Sequence, residues 1–297
     1  MFRKTCGLLA VALSLGATVT IAAQQTFDKR FDAPPGGHLT VQTHIGSVAI
    51  VGSDTREVLV HVDMSDSDHL DVEAEQNASG VSVTGHREQL TWFGSWRNSV
   101  SHVRFKIVVP RDYPVELQTS GGSLDLSHLS APVAGQSAGG SVTLRDIVGP
   151  IDARTSGGSV DAQNIHGPTR LGTSGGGITI ADATGDLDLR TLGGSINLRS
   201  ADGKVTAATS GGSVRAEVRI NRGIDLASSG GPITLLIPES VRASIDANTS
   251  GGSVQSDLPV TRTEAEQHSR LRGTLNGGGE PIILDSSGGG IHIEQLR

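Results

Sequence analysis

The chain has 297 residues, with 31 acidic against 24 basic side chains and a net charge of −7 when histidine is counted neutral. That sign argues against nucleic acid as a partner. Forty glycines beside a single cysteine and 3% aromatic residues exclude a disulfide scaffold and describe a folded chain with many special turns.

In chain order, Arg3 and Lys4 precede an apolar run to about Val19 and small residues ending at Ala23, the layout of a secretory signal peptide over residues 1–23. The apolar run is too short to anchor the chain in a membrane, so no transmembrane segment is expected in the mature protein. Cys6 lacks the preceding small apolar triplet of a lipoprotein signal and leaves with the peptide. Losing Arg3 and Lys4 leaves 22 basic against 31 acidic residues, a net charge of −9. Such a chain, without cysteine, is held by packing and backbone hydrogen bonds alone. Its expected destination is the periplasm, the outer cell surface or the medium.

Residues 24–118 alternate apolar and polar positions in HLTVQT, EVLVHV, HLDVEA and HVRFKIVVP, parted by turn-forming stretches. This segment is expected to form antiparallel β-strands that cap the remainder of the chain. All aromatic residues of the mature chain lie in it, from Phe27 to Tyr113.

From residue 119 a period takes over. The first glycines of successive Gly-Gly pairs, Gly121, Gly139, Gly157, Gly175, Gly193 and Gly211, fall at one constant interval, followed less regularly by Gly230, Gly251 and Gly288. Such a beat marks a solenoid in which each repeat is one coil. One column through the repeats reads Leu124, Val142, Val160, Ile178, Ile196, Val214, Ile233, Val254 and Ile291; the position two residues on is also apolar, and Asp125, Thr143, Asp161, Thr179, Asn197 and Arg215 lie between. That is the period of a strand with one face inward. A second short strand carries Val133, Ile151, Thr169, Leu187 and Val205, and a second glycine column runs through Gly149, Gly167, Gly185 and Gly203.

The pairs Gly121–Gly122, Gly139–Gly140, Gly157–Gly158, Gly175–Gly176, Gly193–Gly194 and Gly211–Gly212 are therefore read as structural corners, where positive φ or close backbone approach resists a side chain. Thr119, Ser137, Thr155, Thr173, Thr191, Thr209, Ser228, Thr249 and Ser286 precede corners and would form a hydroxyl ladder along the stack. The fold class is all-β: a single-stranded β-solenoid over residues 119–297, with about 18 residues per coil. Right-handed winding is expected because parallel crossovers take that hand. At ~4.8 Å per coil, eight intervals give a rod of roughly 40 Å. An inserted loop near 257–273 interrupts the period, and residues 249–286 accommodate one enlarged coil or two.

For sites, Trp92, Phe93 and Trp96 cluster in the loop TWFGSWRNS, where aromatic rings can dock a partner or sugar, or plug the solenoid end. Asp63, Asp66, Asp68 and Asp71 offer oxygen ligands but lack the spacing of a calcium loop, so no metal is expected. Ser159, Asp161 and His166 share a coil, yet Ser159 belongs to a repeating serine column. Polysaccharide-cleaving helices gather acids on one outer face, and the alternating column from Asp125 to Arg215 does not. A flat double row of threonines, as ice binding would need, is also missing.

GSVAIVG, IVVPRDYPVELQTSGGSLDL, the TSGGSV coils and the closing ILDSSGGGIHI resemble the bacterial putative adhesin family, an exported β-solenoid domain of unknown function, over roughly residues 35–297. The resemblance implies fold and export and carries over no catalytic residues; separately, no cofactor is expected. The expected partner is an envelope protein or a glycan, and the expected role is non-enzymatic, as an adhesin or binding surface; the alternatives are a periplasmic scaffold or sensor component, or a polysaccharide-cleaving β-helix enzyme.

Overall fold

The computed structural model describes residues 24–65, 70–87, 103–263, 265 and 267–296. Residues 1–23, the expected signal peptide, lie outside them. The described residues contain no helix, and their strands belong to one continuous hydrogen-bonded sheet wound into a β-solenoid.

A single coil shows how the winding arises. Ile151–Thr155 points residues 151, 153 and 155 inward, as alternation dictates, and the bend at 156–159 leads into Val160–His166. There the inward residues are Val160, Ala162 and Ile165, a spacing of two and then three. The extra residue is absorbed by Asn164, whose φ of 54° turns the strand through a sharp corner. His128, Asp146, Asp182 and Ser200 hold the same left-handed conformation at the equivalent place in neighbouring coils. Aspartate and asparagine tolerate it because a short polar side chain can bond locally.

Coils stack in parallel register, each offset from the last by one full period: Ile151 lies against Val133 and Thr169, and Val160 against Val142 and Ile178. The apolar column is buried along its whole length, from Leu124 at 0% exposure to Val254 at 8%. Each aliphatic short of the terminal Val254 is covered by a layer above and a layer below, so burial at about 25 cal/mol per Å² of apolar surface is available only to the stack.

Chain order and spatial order part company at both ends. Val115–Thr119 pairs with His38–Thr43, which pairs on its other side with Gly80–Arg87, all parallel. Likewise Leu124–Leu129 meets Ser47–Ser53, and then Arg104–Pro110. The first segment thus contributes two further parallel layers, and the earlier one is sandwiched. Its antiparallel strands lie outside these: Leu70–Asn77 on Gly80–Arg87, Glu57–Ser65 on Arg104–Pro110, and Gln24–Asp32 on Glu57–Ser65.

The far end repeats the device. The coil at 224–237 pairs with the chain's last coil at 280–295, and that coil pairs with 243–256. Residues 249–286 therefore hold strands of two layers, and the apolar column runs in space from Ile233 to Ile291 to Val254. Within the expected inserted loop, Arg270–Leu275 pairs antiparallel with 243–248, and Thr261–Arg262 pairs with it in turn. The physical reason is the edge: a terminal parallel strand leaves a row of unpaired N–H and C=O groups, and a locally made antiparallel strand covers them. With the two extra layers, the stack extends to roughly 50 Å at ~4.8 Å per layer.

Candidate binding surface

At the Gly-Gly corners, inward hydroxyls tie neighbouring layers together. Thr155 Oγ1 donates to Gly140 O at 2.6 Å, and Thr173, Thr191 and Thr209 donate to Gly158, Gly176 and Gly194 at 2.7, 2.8 and 2.7 Å. Each hydroxyl also accepts the N–H of the second glycine in its own coil, as Thr173 does from Gly176 at 3.2 Å. These threonines are 3–6% exposed, so the ladder is interior and offers nothing to a ligand.

The paired glycines differ in what they need. None has a left-handed φ, but a Cβ on Gly122, Gly140, Gly158, Gly176, Gly194 or Gly212 would overlap the glycine backbone of the adjoining layer. Gly121 and Gly139 would meet backbone oxygen only at 3.5 and 3.6 Å, whereas the contacts at Gly157, Gly175, Gly193 and Gly211 tighten to 3.2, 3.2, 3.1 and 2.9 Å. Positive φ belongs to the other corner, at Gly149, Gly167, Gly185 and Gly203.

The outer face of the shorter strands carries a broad concavity. A groove of about 830 Å³ runs across successive layers beside Pro114, Pro132, Pro150 and Pro168. The prolines recur once per coil just before each strand, where fixed φ and a missing N–H are tolerated. The groove passes into a notch of about 650 Å³ over Gly172, with Arg154, Arg190 and Leu192 around it. Sequence reading missed this surface; the proline beat was the available signal.

Ion pairs hold the notch arginines. Arg154 grips Asp152 through Nε and Nη2, both at 3.2 Å. Arg170 Nε donates to Asp188 Oδ2 at 3.2 Å, while Arg190 Nε lies 3.1 Å from Asp188 Oδ1 without hydrogen-bond alignment, leaving that oxygen buried and unsatisfied. Near the groove's other end, the Tyr113 hydroxyl is buried without a partner directly behind Gly37, and desolvation pushes its pKa up.

The remaining candidates take up other roles. Trp92, Phe93 and Trp96 lie outside the described residues, as do Asp66 and Asp68. Asp71 stands exposed on the outer strand Leu70–Asn77. Asp63 accepts from Lys106 Nζ at 2.8 Å and faces His61 Nε2 at 3.0 Å. The Lys106 hydrogen bond leads in lowering the Asp63 pKa, and the Asp28 hydrogen bond leads in raising that of His61. His166 directs its ring nitrogens to Thr184 Oγ1 at 2.7 Å and Asn164 Oδ1 at 2.9 Å. Its ring is thus engaged away from Ser159 and Asp161. Among the described residues no three His, Cys, Asp or Glu side chains assemble a metal site, and no helix is long and apolar enough to cross a membrane.

No curated protein matches the chain. Among solved structures, one titled a putative lipid binding protein from Parabacteroides distasonis ATCC 8503 is 13% identical, with a TM-score of 0.53, over 92% of this chain and 97% of that one. At that identity the likeness speaks to fold alone. Two titled putative adhesins cover the same shares: one from Parabacteroides merdae ATCC 43184 at 10% identity and TM-score 0.48, one from Parabacteroides distasonis ATCC 8503 at 12% and 0.47. The Toastrack DUF4097 family model matches residues 37–294, from the first layer through the last strand, and the chain belongs to that family.

Proposed function

We propose that this is an exported, non-enzymatic binding protein that presents the outer face of its short strands to an envelope protein or glycan, with adhesion as the concrete role. The observation that carries this reading is the groove of about 830 Å³ crossing successive layers of a stiff stack. A concave surface with apolar flanks and fixed polar groups is what recognition requires. His166, the base that a Ser159–His166–Asp161 triad would need, is bonded to Thr184 and Asn164 instead, which also supports it.

The test is a pull-down from envelope extract with the mature protein, beside a Trp92→Ala, Trp96→Ala double variant and an Arg154→Ala, Arg190→Ala double variant. Specific recovery of an envelope component by wild type supports the reading, and the variant that loses it assigns the face. Surface labelling of intact cells separates an adhesin from a periplasmic scaffold or sensor component, since the latter is shielded. Depolymerisation of an envelope polysaccharide by the wild type, abolished in Asp161→Ala, would overturn the non-enzymatic reading.

A further inference from the structure

In a stack where every layer repeats its neighbour, a site shows itself where the columns are broken together. The outward column of the short strands reads Gln118, Gln136, Arg154, Gly172, Arg190, with 154, 172 and 190 in direct register. Gly172 removes one side chain from the middle of it. No left-handed φ requires that glycine, and a Cβ there would meet nothing closer than Arg154 Cγ at 3.5 Å. A second break lies alongside: the position after the ladder hydroxyl is Ser156, Ser174 and Ser210 in nearby coils, but Leu192 between them, 62% exposed. Both departures open onto the same notch. Neither is needed for packing.

We infer that the notch over Gly172 binds the carboxylate of a uronate-bearing glycan lying along the stack, between the guanidinium groups of Arg154 and Arg190, with Leu192 against the apolar face of a sugar ring. This rests on the binding role proposed above and gives that role a ligand class. Arg154 and Arg190 stand two layers apart, about 9 to 10 Å, and Arg170 completes a group of three cations against Asp152 and Asp188. The excess of positive charge is local to a chain of net charge −7. Guanidinium forks match carboxylates in shape as well as charge.

The periodicity favours a glycan over an acidic peptide. An extended peptide advances ~3.3 Å per residue against ~4.8 Å per layer, so its side chains fall out of step with the arginines. A pyranose ring advances its chain by close to one layer. The surface is also a sheet face with its backbone already paired, so a peptide finds no strand edge to extend.

The experiment is calorimetric titration of the mature protein with oligogalacturonate, with neutral malto-oligosaccharide, poly-glutamate and anionic phospholipid vesicles as the other arms. Oligogalacturonate binding that weakens with salt, with no response to the neutral sugar, is expected. Gly172→Gln restores the column found at Gln118 and Gln136, and Leu192→Ser restores the serine column. Each should lower affinity at least about tenfold while leaving the unfolding midpoint unchanged or raised. Arg190→Gln provides an independent loss should either restoring variant misfold. Absence of oligogalacturonate binding, equal or tighter binding of poly-glutamate or vesicles, or full affinity in folded Gly172→Gln would overturn the inference. Failure here with a partner still recovered from envelope extract removes the uronate assignment and leaves the binding role standing.

Discussion

Replacing Gly158 with alanine should damage the stack far more than the same change at Gly121, although both belong to identical SGGS corners. A methyl group on Gly158 would stand 2.5 Å from Gly140 C and from Ser141 N, backbone of the adjoining layer, whereas on Gly121 its nearest neighbour would be His44 O at 3.5 Å. Carbon contacts are comfortable from about 3.5 Å, so at Gly158 the two layers must part locally by about 1 Å. Two hydrogen bonds span that gap: Thr155 Oγ1 to Gly140 O at 2.6 Å, and Gly157 N to Ala138 O at 3.1 Å. Stretching both past useful length forfeits about 1 kcal/mol each, and overpacking adds about 1 to 3 kcal/mol. The entropy gained by removing a glycine from the unfolded chain offsets only about 0.4 to 1 kcal/mol. A net loss of about 2 to 4 kcal/mol is expected for Gly158→Ala, and neutrality or slight stabilisation for Gly121→Ala. Urea unfolding followed by circular dichroism compares the midpoints directly. Midpoints that coincide would refute the idea that backbone proximity between layers selects the second glycine.

Deleting residues 155–172, one whole period, should leave a soluble β-rich protein because Arg154 then joins Thr173 in the same register; deleting half a period from the same place should not, and equal solubility of the two would contradict the stacking. Asp182→Gly should be at least as stable as wild type, and Asp182→Ala less stable than Asp182→Gly by about 1 kcal/mol, since φ at this corner is 56°; thermal melts decide. The hydrogen bond that His61 donates to Asp28 raises the His61 pKa above its ordinary 6.5, so the imidazolium is favoured in the folded state. Its stabilising contribution is complete below the unfolded pKa and fades as pH rises through the folded one. Hydrogen exchange over Gln24–Asp32, corrected for intrinsic rates, should therefore show weaker protection at about pH 8 than at about pH 6, a difference that His61→Gln abolishes. Unchanged protection across that window would rule out His61 as the clamp on this strand.

The repeat was legible because burial acts on every coil alike. Val142 and Val160 face the same interior under the same constraint, so the period, the inward columns and the ladder hydroxyls are written afresh in each coil. The left-handed corner at Asp146, Asn164 and Asp182 was also written there, as a column of αL-tolerant residues. It became readable only when the inward spacing of two and then three showed where a residue had to be absorbed.

Sequence by itself determined the winding, because a β-strand of period two and a glycine beat of constant interval admit no other way to bury the aliphatics. Tertiary structure alone decided the order of layers at the ends, where 38–53 and 280–295 lie inside coils that the chain forms later or earlier. That choice depends on which strand edge is left for an antiparallel partner to cover, a contact between residues far apart in the chain. It also decided that Gly172, Arg154, Arg190 and Leu192 face one notch, since neighbours across layers are adjacent only after the coil has closed.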